Sequence, residues 1–312
     1  MTMSDLLTDA TGTLRRTTAS HIGLRVGDGG DAVATAAAFY GRVLGLVPSG
    51  EAPSGTAPPG GVRLGWGAGH HVLDLLPGPP GVDHIGFECR DDLDALRDRL
   101  DRAGHPVSDL DPCHVDAAVG EARGIAFTDP DGTVVHVHTA VHRLGEHTAD
   151  PGRRPIRYQH VTLSTDDVAA TTGFWTRVVG FTVSDRLADD RFAWLRSDRD
   201  HHTLALVNAG RGSGIDHFSF DLAQWDDFKT WCDRLADNGV LVTWGPGRHG
   251  PGNNLFVFFD DPSGHHIELS AEMERFYDDR VTYGQRVWEP VPTSVNLWGG
   301  QLASWRRTSG KD

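Results

Sequence analysis

Cysteine is scarce in this chain: 312 residues hold three, Cys89, Cys113 and Cys232. They are too few and too scattered for a disulfide framework or a cysteine-based zinc site. Nor is there an apolar run near the roughly 18–20 residues that a membrane-spanning helix needs. Met1 to Arg16 is polar and lacks the apolar stretch of a secretion signal. Together these absences predict a cytoplasmic protein with no membrane partner. Basic stretches are missing as well. Lys and Arg number 29 against 43 Asp and Glu, a formal charge of −14. A surface that binds nucleic acid draws its affinity from Lys and Arg releasing counterions, so no nucleic-acid partner is expected.

What is present is ordinary globular composition, 38% apolar and 23% charged, in a chain long enough for two domains with their own cores. The unusual count is 17 histidines. An excess of imidazole makes a metal centre worth seeking.

The chain also repeats itself. "SHIGLRV" at 20–26 is echoed by "QHVTLST" at 159–165, and "FYGRVLGL" at 39–46 by "FWTRVVGF" at 174–181. "VDHIGFEC" at 82–89 returns as "IDHFSFDL" at 215–222, and "AFTDPDGTVVHV" at 126–137 as "VFFDDPSGHHIEL" at 257–269. The offsets are 139, 135, 133 and 132 residues. Four ordered matches at a nearly constant offset mark a duplication. Each half divides again. An alternating strand leads into an amphipathic helix that stops at glycine: Phe228, Trp231, Cys232 and Leu235 before Gly239, and Leu93, Leu96 and Leu100 before Gly104. Gly45 and Gly180 close the other two helices. "DPDG" at 129–132 and "DPSG" at 261–264 are turns before a final strand. The predicted fold is α+β, with four βαβββ units of about 60 residues paired into two domains. The expected divisions are an N-terminal tail at 1–16, a first domain at 17–145, a polar linker at 146–155, a second domain at 156–276 and a tail at 277–312. The last carries Trp288, Trp298 and Trp305 and is expected to pack across a domain.

His160, His217 and Glu268 fall in three different strands of the second half, separated by 57 and 51 residues. A lone histidine near a strand start is more often a hydrogen-bonded structural residue than a ligand. Glu268 changes that balance. In "HHIELS" its neighbours Ile267 and Leu269 point to the opposite face, and a buried glutamate is costly unless something cationic meets it. Two imidazoles and a carboxylate on one face leave open positions for substrate and dioxygen, the pattern of non-haem iron(II) oxygenases.

"GPGRHG" at 245–250 followed by "FFDDPSGHHIE" at 258–268 resembles the hallmark of the type I extradiol, catechol 2,3-dioxygenase-like ring-cleaving enzymes of the vicinal-oxygen-chelate superfamily. The likeness runs through almost the whole chain. It implies an oxygenase that opens a catechol-like aromatic with dioxygen, and a homo-oligomer. The implied metal is iron(II), with manganese(II) acceptable to the same ligands His160, His217 and Glu268. "RDHHTLAL" at 199–206 matches the strand that carries the acid–base histidine, which selects His202, with His201 as the near alternative. His249 would hydrogen-bond the metal-bound substrate oxygen. Phe192, Trp194, His201, Trp244, Arg248, Asn254 and Phe258 are the expected substrate-lining positions.

Two positions depart from the family pattern. Ten residues before Glu268 the family has a tyrosine, and this chain has Phe258, which keeps the ring and loses the donor. A hydrogen bond to a charged group contributes about 1.5–3 kcal/mol, one to two orders of magnitude in rate. Trp244 stands where relatives that take carboxylated catechols have arginine, so a substrate acid group is not expected there. Phe258 leaves open a different iron-dependent oxygenation on the same scaffold, as in natural-product tailoring. Non-catalytic drug binding and a glyoxalase-like isomerase are further alternatives. The complete ligand set counts against the first, and the single carboxylate against the second. In the first half His21, His84 and His136 match the three ligands. They could form a zinc-like site. The resemblance implies instead a first domain without catalytic metal, its histidines relics of duplication.

Overall fold

The computed structural model describes residues 17–49, 59–66, 71–90, 92–110, 123–139, 154–277 and 283–299. The N-terminal tail at 1–16, Cys113, most of the 146–155 linker and Trp305 lie outside the described residues. Four βαβββ units follow one another. The first runs β1 (Thr17–Gly27), α1 (Gly30–Leu44), β2 (Val47–Pro48), β3 (Val62–Gly65) and β4 (Leu73–Leu76). The second runs β5 (Gly78–Cys89), α2 (Leu93–Arg102), β6 (Ser108–Asp109), β7 (Gly124–Thr128) and β8 (Val134–His138). In the second half come β9 (Arg157–Ser164), α3 (Val168–Phe174), β10 (Thr182–Leu187), β11 (Phe192–Arg196) and β12 (Leu204–Val207), then β13 (Gly214–Asp221), α4 (Trp225–Asp237), β14 (Val242–Arg248), β15 (Leu255–Asp260) and β16 (His266–Ala271). The fold is the α+β arrangement that the repeat predicts.

Each helix forms for legible reasons. In α4 the buried Phe228, Trp231 and Leu235 recur at helical spacing, Asp226 and Asp227 sit in the first turn and Arg234 in the last, complementing the helix dipole. The Asp92 side chain caps α2 by accepting from the amides of Asp94 and Ala95. Helix α3 widens into a π turn over Trp175–Val179 before Gly180, at φ 106°, reverses the chain. The buried aromatic and aliphatic side chains of both halves join in one continuous core. Each contributes roughly 1.5–3 kcal/mol.

Within each half the two units meet through their first strands, β1 against β5 and β9 against β13, both antiparallel. Each first strand also pairs parallel with the last strand of its own unit: β4 on β1, β8 on β5, β12 on β9 and β16 on β13. The middle of each sheet is therefore the run of neighbours that carries the histidines. In the described part of the tail, strand β17 (Arg286–Trp288) adds in parallel to the β10 edge, and Trp288 packs against the cluster of Leu187, Trp194 and Ala205. Trp298 meets Trp225 at 5.4 Å. Among the described residues no helix is long and apolar enough to cross a membrane.

The halves are pinned by buried polar links. The Tyr40 hydroxyl donates to Asp261 Oδ2 at 2.8 Å, and Ser263 Oγ donates to the Val26 carbonyl at 2.7 Å. Arg99 donates to the carbonyls of Val178 and Val179, both at 2.8 Å. Tyr40→Phe should remove about 1.5–3 kcal/mol of stability by deleting a buried bond to a carboxylate, read as a lower urea midpoint. A loss below about 0.5 kcal/mol would mean that His265 and the turn amides already satisfy Asp261.

Candidate metal centre

Strand register builds the site. Ser219 on β13 stands directly opposite His160 on β9 and Glu268 on β16. His217 lies two residues before Ser219, on the same face of β13. Three adjacent strands thus present His160, His217 and Glu268 around one point, with all ligand atoms within 4.8 Å of one another. Glu268 Oε2 is 3.0 Å from His160 Nε2 and 3.7 Å from His217 Nε2. His160 and Glu268 are each only 1% exposed.

Each ligand is held from behind. His160 Nδ1 donates to Gln159 Oε1 at 3.1 Å, and His217 Nδ1 donates to Asp216 Oδ1 at 2.7 Å. Both bonds leave Nε2 directed at the centre, the orientation that outer carboxylates and amides impose on metal-bound histidine. Asn254 Nδ2 donates to Glu268 Oε1 at 3.1 Å. Burial would raise the Glu268 pKa, but the imidazoles of His160 and His249 outweigh it and hold the carboxyl well below the usual carboxylate range. Burial lowers the His160 pKa despite Glu268 nearby. Two imidazole nitrogens and one carboxylate oxygen gathered within 4.8 Å are a donor set that fits iron(II) or manganese(II).

A cavity of about 280 Å³ opens onto this face, lined by His160, His217 and Glu268 together with Phe192, Trp194, His202, Trp244, His249 and Phe258. For scale, a dry cavity of about 150 Å³ accommodates benzene. Phe258 stands edge-on to His217 at 5.1 Å and stacks between Trp244 at 5.3 Å and His266 at 4.8 Å. Phe192 stacks on Trp194 at 3.9 Å. The His202 ring lies 4.4 Å from that of His160, and burial, with the surrounding histidines, pushes its pKa well below the ordinary value. His249 donates from Nδ1 to the Val295 carbonyl of α5 (Pro292–Val295) at 2.6 Å, and its Nε2 lies 3.6 Å from Glu268 Oε1.

His201, Arg248 and Asn254 were expected along the substrate and do not line the cavity. In the loop between β11 and β12, His201 lies with Nε2 3.1 Å from Asp185 Oδ2, away from the cavity lining. Its Nδ1 is 3.0 Å from His202 Nδ1. Protonation of His201 on Nε2, the nitrogen nearer Asp185, would make its Nδ1 the acceptor for His202 and leave His202 Nε2 as the basic atom. Asp185 is fixed in turn by Arg286 at 2.8 Å and the Trp288 indole at 2.7 Å. Arg248 donates from Nε to Asn253 Oδ1 at 2.9 Å, and Asn254 supports Glu268 and Ser270 from outside the cavity. Sequence reasoning missed Asp216, Gln159, His266 and Val295. The repeated Asp-His pair of "VDH" and "IDH" pointed to Asp216, and strand alternation two residues before Glu268 pointed to His266. Nothing in the sequence pointed to Val295.

Residues 18–137 and 157–269 match the Glyoxalase/Bleomycin resistance protein/Dioxygenase superfamily. The chain belongs to that superfamily. It is 28% identical over 218 residues to metapyrocatechase 2 of Cupriavidus necator, a match covering 61% of this chain and 64% of that protein. It is 28% identical over 227 residues to an iron-dependent extradiol dioxygenase of Rhodococcus jostii, covering 67% and 73% of the two chains. The Mn(II)-bound glyoxalase of Novosphingobium aromaticivorans superposes with a TM-score of 0.74 at 29% identity, covering 92% of both chains.

Asp216→Asn should weaken divalent-metal affinity about 10–100-fold by loosening the His217 ring. Competition against a chelator, followed by metal analysis, measures it.

Proposed function

We propose that this chain is an iron(II)- or manganese(II)-dependent extradiol-type dioxygenase acting on a catechol-like aromatic with dioxygen. The observation that carries the reading is the aromatic cavity set directly on the buried His160, His217 and Glu268 face, with His202 and His249 turned toward it. When bound, the metal supplies a redox-active centre with open positions for substrate oxygens and dioxygen together. The protein's own residues supply the rest. Phe192, Trp194, Trp244 and Phe258 clamp a flat ring and exclude water. His202, with Nε2 free of its proton, takes up and returns a proton beside the reacting carbon. His249, anchored through Nδ1 to Val295, presents Nε2 to a substrate hydroxyl. Among the described residues no guanidinium lines the cavity, which favours an uncharged ring substituent over a carboxylate.

Phe258 favours a second reading, a different iron-dependent oxygenation on the same scaffold. A tyrosine there would help to deprotonate the diol; without it that task falls to His249 and His202. Phe258→Tyr should speed catechol cleavage by about an order of magnitude, the rate equivalent of one hydrogen bond to a charged group. An unchanged or slower rate, with metal retained, would favour the second reading.

The primary test is oxygen uptake by anaerobically iron-loaded protein with a panel of catechols, with product masses read in parallel. The expected result is a product heavier by two oxygen atoms, lost in Glu268→Ala. No uptake from protein shown to hold iron at this centre would overturn ring cleavage.

A further inference from the structure

The first half contains the same construction as the second, with different chemistry around it. Gly86 on β5 stands opposite both His21 on β1 and His136 on β8, the register that Ser219 makes with His160 and Glu268. His84 lies two residues before Gly86, as His217 lies before Ser219. The ligand atoms of His21, His84 and His136 all fall within 4.8 Å of one another, and all three residues are buried. The glycines beneath them make the approach possible. A Cβ on Gly86 would stand 2.2 Å from the His21 ring, and one on Gly23 would stand 2.3 Å from the His84 ring.

The outer partners recur as well. His84 Nδ1 donates to Asp83 Oδ2 at 2.9 Å, as His217 does to Asp216. His21 Nδ1 lies 3.3 Å from Ser20 Oγ, the place that Gln159 holds behind His160. A neighbour on Nδ1 again leaves Nε2 facing the common point.

The substrate side differs. "GHHVLDLL" at 69–76 parallels "DHHTLALV" at 200–207, which sets His71 in the place of His202. Their rings lie 4.7 Å from His21 and 4.4 Å from His160 respectively. The cross-strand pair Arg63 and Asp74 replaces the pair Trp194 and Ala205. Arg63 donates to Asp74 Oδ1 at 3.0 Å, while Asp74 Oδ2 lies 3.5 Å from His84 Nε2 and 3.4 Å from His71 Nε2. An ion pair thus stands where the second half has Trp194 and Ala205, and brings a carboxylate beside the imidazoles.

We propose that His21, His84 and His136 bind a second divalent ion, of the zinc class, in a closed structural site with Asp74 as the adjacent oxygen donor. Three imidazole nitrogens with one oxygen are a zinc donor set, Asp74 Oδ2 lies beside His84, and among the described residues the Arg63–Asp74 pair stands on the substrate side. The proposal does not depend on the reaction assigned to the second half.

The test removes the second-half centre with His160→Ala and Glu268→Ala in the full chain, strips the protein with chelator and adds Zn(II) or Co(II). The double variant should take up one ion per chain, gain several degrees of melting temperature with zinc and show visible ligand-field absorption with cobalt. Adding His136→Ala should abolish all three. His136→Gln, checked for folding by circular dichroism, serves if the alanine variant does not fold. A folded double variant that binds no ion, or a triple variant that binds as much as the double, would overturn the proposal.

Discussion

A carboxylate buried among aromatic rings is the constraint on which the second half of this protein depends. Taking an ion out of water costs several kcal/mol even after relaxation. Glu268, at 1% exposure, has its pKa raised by burial and lowered further by the imidazoles beside it, so its neighbours outweigh the loss of water. Much of the surrounding structure answers that cost. Asn254 donates to one oxygen, His160 and His217 meet the other, and Gln159 and Asp216 turn the two imidazoles inward. The aromatic wall then raises the strength of every electrostatic contact it encloses, because it keeps water away.

Duplication explains why such a point exists in each half. A βαβββ unit alone has an apolar face to bury, and pairing two units through their first strands places equivalent positions beside one another. A histidine near the start of each unit therefore acquires a counterpart across the strand pair, and the final strand of the second unit adds a third group. The halves diverged around that frame. One acquired Trp194, Trp244 and Phe258 over the centre; the other acquired Arg63 and Asp74.

The sequence exposed the frame well and the surroundings poorly. The four echoes, the glycine stops at Gly45, Gly104, Gly180 and Gly239, and the two turn motifs announced the units, because local periodicity and turn chemistry depend on neighbours along the chain. The convergence of His160, His217 and Glu268 was legible through the same pseudo-symmetry. The choice of His202 over His201 for the cavity agrees with where their rings lie. Arg248 was harder, since bulges in the β14–β15 pairing shift which side chain faces inward, and Asn254 lies in the turn before β15, where alternation gives no facing. The roles of Asp185, Val295 and Trp288 depend on contacts between elements about 50 to 100 residues apart. No periodicity records those.

The contribution of residues 286–295 has a consequence for how the site comes into being. Val295 supplies the carbonyl that orients His249, and Arg286 with Trp288 fixes the aspartate behind His201 and His202. During synthesis the ligand strands emerge first, ending at Ala271, and these supports follow some fifteen to twenty-five residues later. The three candidate ligands are thus complete along the chain before the contacts that orient His249 and Asp185, so a chain cut after Ala271 would keep the ligand strands and lose those supports.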